Sequence, residues 1–318
     1  MLRFDGRVVA ITGAGRGMGR EHALLFASRG AAVVVNDASI AMDGLSTEAV
    51  SPADAVVEEI RSAGGTAVVN RANIVDPEGG ASVIADAIEH FGGIDVLVNN
   101  AGVVGHSSFE DCSIEERDAN MAVHFHGAWN VTKEAWRHMK SRRFGRIVNI
   151  VSSTAYLGAQ NRVAYTSAKG ALIGFTRTTA LEGEEHGILV NGLGPAGHTR
   201  MTAASFKDFG KALTDGSEEA SRAWLDRYFN IRHPSVGVLA LAHEDCRVTG
   251  NFYNCHGGRM WRTFFGEGDG FIASDADFTP EAVMQNWDAV EKLEPYAVLK
   301  DPADSMAHLM ELVSRAEA

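Results

Sequence analysis

The chain alternates short apolar runs of β character with longer stretches whose apolar positions recur at helical spacing. Strands are expected over residues 8–12, 31–37, 67–73, 95–101, 146–153 and 188–195, with a last one near 251–256. Several of these runs are almost unbroken Val, Ile, Ala and Leu, the pattern of a strand buried on both faces of a parallel sheet. Between them, Ile84, Ala87, Ile88 and Phe91 recur at i, i+3, i+4 and i+7 and give a helix one buried face. Residues 54–63 and 163–182 also read as helices. The βαβαβ rhythm implies an α/β fold built on a doubly wound parallel sheet with right-handed crossovers. Beyond the last strand, Thr279-Pro280-Glu281 offers a capping hydroxyl, a proline at the first helical position and an acidic first turn, so a helix is expected over 281–293. The expected organisation is one domain over 1–258, with a loop-like insertion at 38–52, followed by a helical extension over 259–318.

Composition narrows the function classes. The 318 residues are 45% apolar, enough to fill a sizeable core. No run is apolar and long enough to span a membrane, and the start of the chain has no apolar leader segment. A formal net charge of −12 argues against a nucleic-acid partner, whose phosphates need a basic face. It does not exclude an anionic cofactor bound at a local site. Cys112, Cys246 and Cys255 form no Cys-x-x-Cys pair, so neither a metal site nor a disulfide framework is expected, and a reducing cytoplasm is the expected compartment.

Candidate chemistry begins at Thr12-Gly13-Ala14-Gly15-Arg16-Gly17-Met18-Gly19, which follows the first strand and opens a helix. Glycines there let the backbone approach a pyrophosphate, and the helix N-terminus offers free N–H groups and a positive dipole. The pattern is the one expected of the dinucleotide site of a Rossmann-like fold, and a structural glycine turn is the alternative. Asp37 ends the second strand, where a carboxylate accepts hydrogen bonds from ribose hydroxyls and repels a 2′-phosphate, favouring NAD over NADP. Arg16 pulls the other way, and Asp37 read simply as a strand-end cap is the alternative. Tyr165 and Lys169 lie four residues apart, one turn along the same helix face. A nearby ammonium lowers a phenol's pKa and lets it exchange a proton with a substrate oxygen. Ser152 stands at the carboxyl end of the fifth strand, where ligands of open parallel sheets bind, and Ser153 is its rival on the opposite side.

Together, the glycine loop, Asn99-Asn100-Ala101-Gly102, Ser152 and the Tyr165/Lys169 pair resemble the short-chain dehydrogenase/reductase family over about residues 5–258. The resemblance implies interconversion of a secondary alcohol and a ketone with a nicotinamide cofactor. Tyr165 would be the acid/base, Lys169 would bind the nicotinamide ribose and lower the tyrosine pKa, and Ser152 would orient the substrate oxygen. Gly13, Arg16, Gly17, Met18, Gly19, Asp37, Asn73, Ile74, Asn99, Ala101, Gly102, Pro195 and Thr199 would border the cofactor, with a substrate lid over about 197–235. Self-association as a homodimer or homotetramer is also implied. One departure stands out: Val123-His124-Phe125-His126-Gly127 carries His124 where most members have a catalytic Asn. His124 is either a fourth catalytic member that relays a proton or a structural histidine.

That histidine, Val33-Val34-Val35-Asn36-Asp37, Ala135-Trp136-Arg137-His138-Met139-Lys140 and Thr279-Pro280-Glu281-Ala282-Val283 resemble one branch of the family. It is that of the (3R)-hydroxyacyl-CoA dehydrogenase units of peroxisomal multifunctional proteins. The branch implies a (3R)-3-hydroxyacyl-CoA or a similarly large apolar alcohol as substrate. A hydroxysteroid or small-alcohol dehydrogenase and a non-catalytic NAD-sensing protein are the alternatives. Arg200, Lys207, Arg259 and Arg262 are candidate contacts for CoA phosphates, with solvated surface charges as the alternative, and Trp224, Tyr228, Phe229, Phe264 and Phe265 are candidates for an apolar channel, with lid packing or a subunit contact as the alternatives.

Overall fold

The computed structural model describes residues 1–39, 51–199 and 217–317. Most of the insertion after the second strand and the first part of the expected lid, with Arg200 and Lys207, lie outside the described residues. The chain divides into two compact units, Met1–Arg262 and Thr263–Ala318.

The first unit is built on β1 (Val8–Thr12), β2 (Ala32–Asn36), β3 (Thr66–Asn70), β4 (Val96–Asn99), β5 (Gly145–Ile150), β6 (Ile188–Pro195), β7 (Phe252–His256) and β8 (Arg259–Thr263). Their order in the sheet is β3-β2-β1-β4-β5-β6-β7-β8. The pairings from β3 through β7 are parallel, with Val9 opposite Val33 on one side and Val96 on the other. β8 is an edge strand that composition did not announce. It follows Gly257 and Gly258, both at positive φ (61° and 72°), the backbone of a two-residue hairpin turn.

Every residue of β1 and β4 is buried. Alternation then divides the core: Val9 and Ile11 face one layer with Phe26, Val33 and Ile60, while Val8 and Ala10 face the other with Ile84, Leu97 and Met139. The helices between the strands are α1 (Gly17–Ser28), α2 (Pro52–Ser62), α3 (Pro77–Phe91), α4 (Ile114–Met121), α5 (Ala128–Arg142), α6 (Thr154–Leu157), α7 (Val163–Glu184), α8 (Glu218–Tyr228) and α9 (Arg232–Ala242). α2 and α3 open on proline, and α3 stops at Gly92 in the left-handed region (φ 79°). A π-helical turn, Ala122–Gly127, joins α4 to α5. Such turns displace side chains from the α-helical register, and this one carries His124.

The strand order reverses between β1 and β4. The carboxyl ends of these two strands, with β5 and β6 beside them, therefore frame a crevice at the topological switch point.

The second unit holds β9 (Glu267–Gly268) paired antiparallel with β10 (Tyr296–Ala297), and α10 (Pro280–Gln285), α11 (Trp287–Val290) and α12 (Pro302–Glu317). The single helix expected over 281–293 is divided. Thr279 caps α10 as expected, accepting from the Ala282 N–H at 3.1 Å. Asn286 then interrupts it, because its side-chain amide donates to the Ala282 carbonyl at 2.8 Å and its backbone leaves the helical region (φ −108°, ψ 24°). Phe264 stacks on Tyr296 within this unit.

Candidate active site

A cavity of about 300 Å³ opens at the switch point. It is lined by Gly13, Arg16, Gly17, Met18 and Gly19 from the glycine loop, Asp37 from the end of β2, and Asn73 and Ile74 from beyond β3. Ala101, Gly102, His124, Ser152, Tyr165, Lys169, Pro195 and Thr199 complete the expected set. A larger groove of about 740 Å³ lies on α1, α2 and α9, away from these groups.

One expected residue does not reach the cavity. Asn99 points into the sheet, donating to Thr132 Oγ1 at 2.9 Å and Asn149 Oδ1 at 2.8 Å; Asn149 in turn donates to Thr176 Oγ1 at 2.9 Å. Alternation along β4 turns Asn99 inward and leaves its neighbour Asn100 to meet the cavity. Asn100 donates to the carbonyls of Thr12 (2.9 Å) and Gly13 (3.0 Å), and Thr12 Oγ1 accepts from the N–H groups of Asn100 and Ala101. The glycine loop and the Asn-Asn-Ala-Gly segment are thus one hydrogen-bonded structure. Gly13 sits at φ 62°, and a Cβ on it would lie 2.7 Å from Ala101 Cα.

The N-terminus of α1 faces the cavity through Gly17, Met18 and Gly19, with no side-chain cap bond and no acidic residue in its first turn. An uncapped helix start of this kind accepts a pyrophosphate on its N–H groups. Asp37 does two jobs. Its Oδ2 accepts from the Gly15 N–H (3.0 Å) and its Oδ1 from the Ser39 N–H (2.8 Å), yet the carboxylate also lines the cavity with lone pairs to spare.

The proton-handling groups meet at the ends of β5 and α7. Of the two serines, it is Ser152 that lines the cavity; the Ser153 carbonyl instead accepts from the Tyr156 and Leu157 N–H groups at the start of α6. Ser152 is hydrogen-bonded to Tyr165 and stands 2.9 Å from Thr154 Oγ1. Burial pushes the Tyr165 phenol above its ordinary pKa, and the Ser152 hydrogen bond and the Arg162 charge pull it partly back. Burial, rather than the lowering expected from Lys169, sets the direction of the shift. Lys169 is 3% exposed and donates to the Ile150 carbonyl at 2.5 Å. Burial brings its own pKa down to about 7, so it is a poor fixed cation at neutral pH. Its Nζ lies 5.8 Å from the Tyr165 ring centroid.

His124 packs edge-on against the Tyr165 ring, with centroids 5.3 Å apart. Its Nε2 is 2.8 Å from the Val103 carbonyl, which only accepts, so Nε2 carries the hydrogen. Nδ1 is then a bare acceptor, buried without a hydrogen-bond partner among the described residues. Burial and the Lys169 charge hold the imidazole pKa well below its ordinary value. His124 is therefore neutral near physiological pH, with Nδ1 open as an acceptor among the described residues. Gly102 makes room for it, since a Cβ there would stand 2.5 Å from His124 Cε1.

Sequence reasoning did not single out Asn100, Val103, Thr154 or Arg162, all of which line the cavity. Asn100 lies inside a motif that was recognised. Val103 stands in a loop, Thr154 opens the short helix α6 and Arg162 is a helix N-cap, places where periodicity gives no signal. Arg259 and Arg262 lie on the edge strand β8, Arg259 over Trp261 at 4.4 Å, and are not among the residues lining the cavity. Trp224, Tyr228 and Phe229 pack against one another, and Phe229 stacks on His256, so these rings do not line it either. Phe264 and Phe265 belong to the second unit.

A glycine-rich strand-to-helix turn beside a Ser-Tyr-Lys group at a switch point is the site of a nicotinamide-dependent oxidoreductase. The short chain dehydrogenase family model matches residues 7–209, and the chain belongs to that family. Among its relatives is the peroxisomal hydratase-dehydrogenase-epimerase of Neurospora crassa, 36% identical over 98% of this chain and 33% of that protein. Another is the peroxisomal multifunctional enzyme type 2 of Mus musculus, 37% identical over 91% of this chain and 37% of that protein. The chain thus spans about a third of the length of these two relatives. A solved short chain dehydrogenase from Mycobacterium avium superimposes with a TM-score of 0.75 at 33% identity, covering 91% of this chain and 97% of that one.

These relatives correct one expectation. Both curated ones are peroxisomal enzymes, which points to the peroxisome rather than the cytoplasm. The cytoplasmic expectation rested on the lack of an apolar leader and on cysteine spacing. Neither bears on an address read by a receptor.

Proposed function

We propose that the chain oxidises a secondary alcohol to a ketone with NAD, and that the alcohol is a (3R)-3-hydroxyacyl-CoA or a similarly large apolar one. The observation that carries this reading is the meeting of Ser152, Tyr165 and Lys169 in one cavity with the uncapped start of α1. When bound, a nicotinamide dinucleotide supplies the hydride acceptor. The residues fit such a group: free N–H groups at α1 for the pyrophosphate, Asp37 for ribose hydroxyls, and Asn73 and Ile74 beside the adenine end.

The chain's own groups then handle the proton. Ser152 holds the carbinol oxygen by hydrogen bond. Tyr165 takes the carbinol proton as the C–H bond breaks, or returns it in the reverse direction. Lys169, with a pKa of about 7, gains or loses a proton one helical turn from Tyr165. His124 Nδ1 offers an open acceptor at the same end of the cavity, and its ring packs against the Tyr165 ring.

The test is initial-rate formation of NADH from a (3R)-3-hydroxyacyl-CoA, its (3S) isomer and a hydroxysteroid. Turnover of the (3R) substrate is expected, with kcat/KM at least about tenfold higher for NAD than for NADP, since the Asp37 charge opposes a 2′-phosphate by more than ~1.4 kcal/mol. No turnover of any acyl-CoA would overturn the substrate class. For His124, His124→Asn is expected to keep substantial activity because an amide oxygen still accepts, while His124→Ala loses more. Equal kcat/KM in both variants and the parent would make the histidine structural only.

Self-association belongs to the same proposal. Trp129, about half exposed, clusters with Phe125 and Phe175 on the surface formed by the π turn, α5 and α7. That aromatic surface supports a homodimer or homotetramer formed through these helices. The second unit, with exposed Met284, Trp287, Leu293, Met306 and Met310, would serve as a further subunit contact surface.

A further inference from the structure

Ser152 has a second hydroxyl beside it. Thr154 Oγ1 stands 2.9 Å from Ser152 Oγ, and the Thr154 N–H donates to the same oxygen at 3.3 Å. Tyr165 is hydrogen-bonded to it as well. A serine hydroxyl has one hydrogen to give and two lone pairs to fill. Where that hydrogen points is therefore decided by what the neighbours give and take.

The reaction needs the hydrogen on the substrate side. A ketone oxygen only accepts, and a carbinol oxygen that hands its own hydrogen to Tyr165 can only accept from Ser152. Tyr165, as the phenolate that takes that proton, has no hydrogen to offer Ser152 in return. Both lone pairs of Ser152 are then filled from the Thr154 side. The Thr154 N–H, one of those that the start of α6 leaves without an intrahelical partner, fills one. The Thr154 hydroxyl brings a hydrogen for the other. Among the described residues Thr154 Oγ1 has Ser152 as its one hydrogen-bond partner, so no other protein acceptor competes for that hydrogen. Thr154 is half-buried and lines the same cavity as Ser152 and Tyr165. With the opposite direction, Ser152 would spend its hydrogen on Thr154 and meet the substrate oxygen with lone pairs.

We propose that Thr154 is a positioning residue for this reaction: its hydroxyl donates to Ser152 Oγ and so reserves the Ser152 hydrogen for the substrate oxygen. This rests on the roles given above to Ser152 and Tyr165. Linked hydroxyls polarise one another, so a Ser152 that accepts from Thr154 is also a stronger donor. The Ser152 hydrogen bond is one of the two pulls that bring the Tyr165 phenol partly back from the rise that burial imposes. Thr154 thereby favours the phenolate through Ser152. A β-branched side chain suits the task, because its χ1 is restricted and the hydroxyl stays where it points.

The experiment is a double-mutant cycle of Thr154→Val and Ser152→Ala, with Thr154→Ser beside it, read as kcat and KM for NAD-dependent oxidation across pH. The alcohol is (3R)-3-hydroxybutyryl-CoA; where the parent turns over a hydroxysteroid instead, that serves equally, because Ser152 meets only the carbinol oxygen. Valine keeps the shape of threonine and removes the hydroxyl. Thr154→Val is expected to lower kcat by about 3–10-fold, the worth of one hydrogen bond, with KM close to the parent's. The pH at which oxidation rises should move up, since the phenolate loses support, and Thr154→Ser should restore both. In the Ser152→Ala background, Thr154→Val should cost nothing further. An equal loss in that background, an unmoved pH profile or a loss that serine does not restore overturns the proposal, as does parental kcat in Thr154→Val. Parental activity in Ser152→Ala brings down the reading of Ser152, and the proposal with it; a loss in Ser152→Ala with none in Thr154→Val removes the role of Thr154 alone.

Discussion

Gly19→Ala is expected to weaken NADH binding by about 10–100-fold and to lower the melting temperature. A Cβ at this position would lie 2.2 Å from the Gly13 carbonyl oxygen and 2.5 Å from Asn100 Nδ2. Neither neighbour can give way cheaply. The first is backbone, and the second is fixed by its bonds to the Thr12 and Gly13 carbonyls. Overpacking of this kind costs about 1–3 kcal/mol. The distortion falls on the N–H groups of α1 that receive the pyrophosphate, so much of that cost appears as lost affinity, about tenfold for each 1.4 kcal/mol. Fluorescence titration with NADH, read beside a thermal melt, checks it. Unchanged affinity would mean that the cofactor does not rest on this loop.

Much of the frame was legible because two-sided burial leaves an unmistakable trace. The runs of β1 and β2 are apolar almost throughout, and these strands and β6 fall close to where the sequence puts them. Strand ends were overextended where polar side chains turn the chain out of the sheet. Residues 71–73 leave β3 because Asn70 is tied to Asn36, Ser82 and Asp86, and the Asn36 amide reaches on to the Ala72 carbonyl. The break in the expected 281–293 helix has a similar cause in the Asn286 amide.

The site was legible to the extent that its members sit in motifs. The glycine loop, Ser152, Tyr165 and Lys169 were found by spacing and by strand-end position, and all line one cavity. Asn99 was assigned to the cofactor because a motif does not say which of two adjacent asparagines faces inward; pairing with Thr132 and Asn149 turns it into the sheet. The state of His124 was not legible either. Its tautomer and its low pKa come from burial and from the Val103 carbonyl, both of them tertiary facts.

In the proposed mechanism, Tyr165 exchanges the substrate proton. Removing its hydroxyl removes an acid/base step that contributes about 10²–10⁴-fold. The ring, which packs against His124, is retained in Tyr165→Phe, so folding and NADH binding should survive. The pH dependence has a definite sign. Oxidation needs the phenolate, and burial holds the Tyr165 pKa above its ordinary value in the free enzyme. kcat/KM for alcohol oxidation should therefore rise with pH through the neutral range, and kcat/KM for ketone reduction should fall once the phenol loses its proton. The most direct measurement is kcat/KM for NAD-dependent oxidation of the accepted alcohol by Tyr165→Phe and the parent across pH, with NADH affinity measured alongside. A loss of about 10²–10⁴-fold at preserved NADH affinity, with the rise toward high pH abolished, is the predicted result; parental activity and an unchanged pH profile in Tyr165→Phe would contradict the account.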